Sequence, residues 1–243
     1  MCCRELESRL HVWIAEPPSD PDSAWIAAAE SLLSDDERAR YHRFVRDDDR
    51  HAFLAARVLV RRTLSRYADV APADWAFLEN GHGRPEIANP GAAGLRFNLS
   101  HTDGMLALLV HDDADSGVDV ERLGRIASVP SVAPAVLATP EHDELTALPP
   151  EQQEAAFYRL WTLKEAFVKA TGEGFSVRLK DLWFARSADG AITIRASESL
   201  HLHPTAWTFT VQRPTPHHFL ATACRTGEGQ PARAVELLRV SLN

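Results

Sequence analysis

The 243 residues are 45% hydrophobic and 25% charged, the composition of a soluble globular chain long enough for one large domain or two small ones. The net charge of −8 argues against nucleic acid as the partner, since a phosphate backbone demands a basic footprint. The apolar run Leu106–Val110 falls far short of the roughly 20 residues of a membrane span. The N-terminus shows no apolar signal segment, and Cys2, Cys3 and Cys224 have no metal spacing, so a reducing, cytoplasmic setting is expected.

In chain order, residues 10–15 alternate as a short strand, a Pro/Asp/Ser linker follows, and a first helix is expected over 24–33. Ser34 is placed to cap a second helix whose first turn holds Asp35, Asp36 and Glu37, acids that favour the positive end of the helix dipole. An amphipathic helix, whole or broken, then runs to Tyr67 with Phe44, Phe53, Leu59, Val60 and Leu64 on its buried side. From Arg38 to Arg66 this region carries nine arginines against three aspartates. Most of these arginines suit a solvated face, yet an arginine-rich helix on an acidic protein can also hold a small polyanion.

Strands are expected at 75–78 and 84–87 around the turn "NGHG", then at "LRFNLS", "GMLALLV" and "SGVDVERL". Short Ala/Pro-rich helices fill 128–148, a long helix spans 150–171, and four further strands lie near 182–184, 192–194, 207–212 and 219–224. Asp74 and Asp181, 107 positions apart, each introduce an aromatic strand, a glycine turn and another strand after a helix end. This faint repeat predicts an α+β chain of two similar α/β halves in a pseudo-two-fold arrangement, an N-terminal half over 1–112 and a C-terminal half over 113–243.

Four stretches bear chemistry. In "GVDVE", Asp119 and Glu121 share one face of a strand while Val118 and Val120 share the other. Two carboxylates so placed suit either a wet edge strand or a hard cation such as Mg²⁺, which takes few protein carboxylates and fills its octahedron with water and phosphate. In "WTLKEAFVK", Trp161, Glu165 and Lys169 follow one another at i,i+4 along one helix edge. That spacing is either an ordinary ion pair worth roughly 0.3–0.5 kcal/mol or a third carboxylate and a cation for the same site. Lys164 points elsewhere, because adjacent helix positions differ by about 100°. "FNLSH" sets Ser100 and His101 at a strand end, and "GRP" presents Arg84 on a stiff turn. The runs "HDDAD" (111–115), His201/His203 and His217/His218 are read as solvated surface.

Taken in this order and spacing, "GRP", "FNLSH", "GVDVE" and "WTLKEAFVK" resemble the Sfp-type 4'-phosphopantetheinyl transferases, and the likeness runs over roughly residues 35–180. The resemblance implies that fold, with coenzyme A bound between the halves and Mg²⁺ (or Mn²⁺) on its pyrophosphate. It further implies transfer of phosphopantetheine to a serine of an apo acyl or peptidyl carrier protein, with release of adenosine 3',5'-bisphosphate. Carried over by motif, Asp119, Glu121 and Glu165 match the metal carboxylates. Lys169 matches the pyrophosphate lysine and, with Glu165, the catalytic pair. Arg84, Ser100 and His101 match contacts to the nucleotide and its phosphates, and Arg84 stands where the family often has lysine. Arg40 and Arg43 fall near the basic contacts to the 3'-phosphate.

The duplicated layout leads us to expect a monomer, and the apolar segment 126–137 suits either a docking surface for the carrier or an ordinary packed helix. A metal-dependent pyrophosphohydrolase, or a carrier-binding module without catalysis, would use some of the same residues.

Overall fold

A computed structural model describes residues 6, 8–81, 83–92, 94–112, 115–172, 178–187, 190–197, 206–226 and 231–242. His201, His203, Cys2 and Cys3 lie outside them. The chain is α+β and divides into two compact units, Met1–Asp113 with Ala234–Asn243, and Ala114–Arg233. The expected division put residues 234–243 in the C-terminal half. Instead the last strand, whose short run "AVELL" carries no turn signal or alternation to announce it, pairs parallel to the first strand of unit 1.

Unit 1 holds strand β1 (Arg9–Ala15) and helices α1 (Ser23–Glu30), α2 (Asp35–Tyr41) and α3 (Asp47–Leu64). The region expected as one long or broken helix is broken. Ser34 and Glu37 form a capping box at the start of α2, while Asp47, Asp48 and Asp49 occupy the first turn of α3, where the dipole favours them. Phe53, Leu59, Val60 and Leu64 are buried as the periodicity requires, and Phe44, in the break, packs half-buried against Phe53 at a ring separation of 5.4 Å.

A 3₁₀ turn at Pro72–Asp74 leads to the hairpin β2 (Phe77–Glu79) and β3 (Pro85–Ile87), then to β4 (Arg96–Thr102) and β5 (Met105–His111). With β11 (Ala234–Arg239), these strands complete a sheet of order β11-β1-β5-β4 that is antiparallel except at β1–β11. His111, read from sequence as part of a solvated run, closes β5 fully buried, because the strand continues one residue beyond its apolar stretch.

Unit 2 begins with β6 (Ser116–Arg122), followed by α4 (Val129–Val136), α5 (Thr139–Thr146) and the 22-residue α6 (Pro150–Thr171). Another 3₁₀ turn, Leu179–Asp181, again precedes a hairpin, β7 (Leu182–Arg186) with β8 (Ile192–Ala196), and then β9 (Trp207–Thr215) and β10 (His218–Arg225) pair antiparallel with β6 in the order β6-β10-β9. The helix–3₁₀–hairpin sequence thus occurs once in each unit, as the faint repeat predicted. Val129, Ala133, Val136 and Leu137 are buried in the core of this unit, so the apolar segment packs as an ordinary helix on those positions. His218 is buried rather than superficial, its Nδ1 2.7 Å from the Thr215 hydroxyl across the β9–β10 turn. Gly172, at φ 69°, ends α6 in the left-handed conformation that glycine tolerates best. Among the described residues no helix is long and apolar enough to cross a membrane.

Candidate active site

The candidate residues fall into two groups, one in each unit. In unit 2, β6 and α6 lie in backbone contact, and a glycine makes this possible. A Cβ built on Gly117 would stand 2.3 Å from the carbonyl oxygen of Ala166 and 2.5 Å from the nitrogen of Ala170. Gly117, Asp119 and Glu121 share one face of β6 by the two-residue period, so the face that receives the helix also bears the carboxylates. Val118 and Val120, on the other face, are buried at 0% and 1% exposure and hold the strand.

Asp119 is 3% exposed and accepts a hydrogen bond of 2.7 Å from Lys169 Nζ across this contact. Glu121, half-buried one pleat further on, accepts 3.1 Å from the indole N–H of Trp161 and lies 3.4 Å from Arg125. Glu165 is half-buried. Its carboxyl is pushed above the usual range by burial first, then by Asp119 and Glu121, against the pull of Lys169. Glu121 is raised for the same reasons, burial and then Asp119, with Trp161, Arg125 and Lys169 opposing. Both glutamates therefore feel Asp119.

The helix edge Trp161–Glu165–Lys169 thus faces the strand face Asp119–Glu121, with Lys169 paired to Asp119 and Arg125 beside Glu121. Among the described residues no three acidic, histidine or cysteine side chains form a preassembled metal cluster. The donor set instead suits a hard dication that takes few protein oxygens and completes its shell elsewhere, since such an ion offsets both the burial of these carboxylates and the repulsion from Asp119 that adds to it.

Gly117 was not singled out in the sequence, although its place at the head of the carboxylate motif was the available signal. We expect Gly117→Ala to force β6 and α6 apart. The obstacle is backbone, which has no rotamer to change, so a loss of about 1–3 kcal/mol is expected. Thermal unfolding checks it, and a melting temperature equal to that of the parent would show that the contact yields freely.

In unit 1, Arg40 and Arg43 line a cavity of about 720 Å³ together with Arg57, Arg61, Phe53, Trp75, Phe77, Gly83 and Pro85. Arg40 and Arg57 both stack over the Phe53 ring, at 5.6 and 5.0 Å. Arg61 is buried, held by Glu37 at 2.5 Å and by the carbonyls of Pro72, Ala73 and Trp75, so its role in the wall is structural. Arg57 lies 3.5 Å from the other Glu37 oxygen, and burial lowers its pKa. In sequence Arg57 was one of nine similar arginines, and nothing there ranked it with Arg40 and Arg43.

Arg84 sits half-buried at the end of the β2–β3 turn, where Gly83 adopts φ 79° and Asn80 accepts the Arg84 N–H at 3.0 Å. It lines an adjoining groove of about 310 Å³ with Arg96. Ser100 and His101 point to opposite faces of β4, the serine 4% exposed and the histidine exposed.

Comparison with known proteins places the chain. The family model of the 4'-phosphopantetheinyl transferase superfamily matches residues 116–224, and that of the 4'-phosphopantetheinyl transferase N-terminal region matches residues 18–112. The chain is 34% identical over 172 residues to the 4'-phosphopantetheinyl transferase HetI of a Nostoc species, covering 70% of this chain and 72% of that one. It is 30% identical over 169 residues to the 4'-phosphopantetheinyl transferase Sfp of Bacillus subtilis, covering 70% and 73%. A holo-(acyl-carrier-protein) synthase structure from Bacillus anthracis, in complex with CoA, aligns over 46% of this chain and 94% of its own with a TM-score of 0.39 and 18% identity.

Proposed function

The chain belongs to the Sfp-type 4'-phosphopantetheinyl transferases, and from that premise we propose that it moves the phosphopantetheine group of coenzyme A onto a serine of an apo acyl or peptidyl carrier protein. The reading rests above all on the convergence of Asp119, Glu121 and Glu165 around Lys169, where β6 and α6 meet. The setting is cytoplasmic and the working protein a monomer.

Asp119, Glu121 and Glu165 would hold Mg²⁺, for which Mn²⁺ can substitute. Bound there, the ion supplies charge neutralisation on the pyrophosphate oxygens and lowers their repulsion toward an incoming oxygen nucleophile. The remaining work falls to the chain's own residues. The serine hydroxyl oxygen attacks the phosphorus that bears the pantetheine. The bond from that phosphorus to the bridging oxygen breaks, and adenosine 3',5'-bisphosphate leaves. Glu165, on the flank of α6 that faces the β6 carboxylates, accepts the hydroxyl proton. Lys169 has three donors. Asp119 accepts from one of them and fixes the ammonium, which serves the phosphate oxygens as charge develops on the leaving group.

Arg40 and Arg43, with Arg57 beside them, hold the 3'-phosphate end of the nucleotide, and Arg84, Ser100 and His101 serve its other phosphates and sugar. An Arg84→Ala protein should bind coenzyme A about tenfold more weakly, the equivalent of one lost charge-assisted hydrogen bond, while its affinity for the carrier stays unchanged. Calorimetric titration with each ligand separates the two. Unaltered coenzyme A affinity would remove Arg84 from the site.

A further inference from the structure

Lys164 and Glu141 form a buried ion pair beside the candidate site that none of the roles above uses. Lys164 is 0% and Glu141 1% exposed, and their charged atoms lie 2.7 Å apart. Lys164 Nζ also donates to the carbonyls of Leu179, at 2.8 Å, and Leu182, at 2.6 Å. The Glu141 carboxylate accepts the backbone N–H of Phe184 at 2.9 Å and of Ala138 at 3.1 Å. One network thus joins α6 to the 3₁₀ turn before β7, to β7 itself and to the start of α5.

A buried ion pair is weak evidence for stability, because packed apolar side chains of similar volume often serve as well, and a fixed geometry is its best attested product. The geometry here is specific. Lys164 lies two residues before Ala166, and at about 100° per residue the two point to nearly opposite sides of α6. Ala166 and Ala170 are the positions that rest on Gly117 of β6. The helix is therefore gripped from both sides, by backbone contact on one and by the ionic network on the other. Glu165 and Lys169 occupy the flank between.

We propose that the Lys164–Glu141 pair is a positioning device that sets the rotation of α6, so that Glu165 and Lys169 meet the carboxylates of β6. This rests on the reading of Glu165 and Lys169 as site residues. Lys164 and Glu141 touch no substrate and act through their neighbours.

The test is the double variant Lys164→Met/Glu141→Gln, which removes both charges together while Gln keeps an acceptor for the Phe184 N–H. Two quantities are read: turnover with carrier and coenzyme A saturating, and the indole N–H resonance of Trp161, assigned by its loss in Trp161→Phe. That indole bonds Glu121 across the helix–strand contact at 3.1 Å, so it reports the seating of α6 directly. The expected result is a cooperatively folded protein with kcat at least tenfold lower, KM values within about threefold of the parent and a displaced Trp161 resonance. A network that only stabilises the fold would leave the resonance and kcat of the folded protein where they were, and that result overturns the proposal. A displaced resonance with unchanged kcat leaves the clamp standing but overturns the assignment of Glu165 and Lys169. Should the double variant not fold, Glu141→Asp keeps the charge, shortens the reach by one methylene and is judged by the same two readings.

Discussion

Asp119→Ala should fold and should transfer phosphopantetheine about a thousandfold more slowly than the parent. Folding is expected to survive because the strand is held by its other face and its ladder. Val118 and Val120 are buried, and Asp119 pairs with Ala221 in the middle of an unbroken antiparallel register with β10. Nor is the lost ion pair costly. Lys169 keeps 28% of its side chain exposed and can turn to water, while Glu121 and Glu165, raised first by burial, are both relieved of the Asp119 charge that adds to it. Activity has no such reserve. Asp119 is the most buried of the three carboxylates, it anchors the ammonium of Lys169, and the proposed cation loses its central ligand with it. Circular dichroism and a melting curve establish folding, and a carrier-modification assay measures the rate. A folded Asp119→Ala protein that modifies carrier at the parent rate would remove the carboxylate cluster from catalysis.

Lys169→Met should lower kcat by about two to three orders of magnitude, the usual cost of removing a preorganised positive donor from a transition state that gathers negative charge. Met preserves the aliphatic stem along α6, so packing is little altered and the change isolates the charge. The instructive partner is Lys164, five residues earlier on the same helix. Its ammonium is wholly enclosed by Glu141 and two carbonyls, and it cannot reach a phosphate without leaving them. Loss of Lys164 alone strands the buried Glu141 carboxylate, so Lys164→Met is expected to unfold at markedly lower temperature. Activity by itself would confuse the two lysines, and melting temperature separates them. Lys169→Met melts like the parent and is slow, whereas Lys164→Met melts early. Parent-like turnover in Lys169→Met would exclude it from the pyrophosphate.

The helices were legible in the sequence wherever local chemistry specified them. Ser34, followed by Asp35, Asp36 and Glu37, marks the start of α2 as expected, and α6 matches the expected 150–171. That Asp119 and Glu121 share one strand face, and Glu165 and Lys169 one helix edge, was legible in the strand and helix periods; that the two pairs serve one site was implied by the resemblance. What escaped depends on partners distant in sequence. Strand β11 becomes a strand only by pairing with β1, more than 200 positions earlier. Glu141 looks like any first-turn acid until Lys164 and β7 fold over it. His111 and His218 are polar letters whose burial is decided by the sheets around them. Gly117 escaped for a different reason. A glycine in a strand announces close approach, but only the fold shows what approaches. Arg57 is marked out only by where α3 aims it, into the cavity that Arg40 and Arg43 also line.

In the proposed reaction this chain transfers phosphopantetheine with the help of a divalent ion held by the β6–α6 carboxylates. The most direct measurement is the intact mass of an apo carrier protein after incubation with the chain and coenzyme A, with Mg²⁺ or with a chelator. The predicted result is a carrier heavier by one phosphopantetheine group with Mg²⁺, and a carrier of unchanged mass with chelator. Cleaved coenzyme A beside an unmodified carrier would make the protein a pyrophosphohydrolase, and full modification in chelator would contradict the role given to Asp119, Glu121 and Glu165.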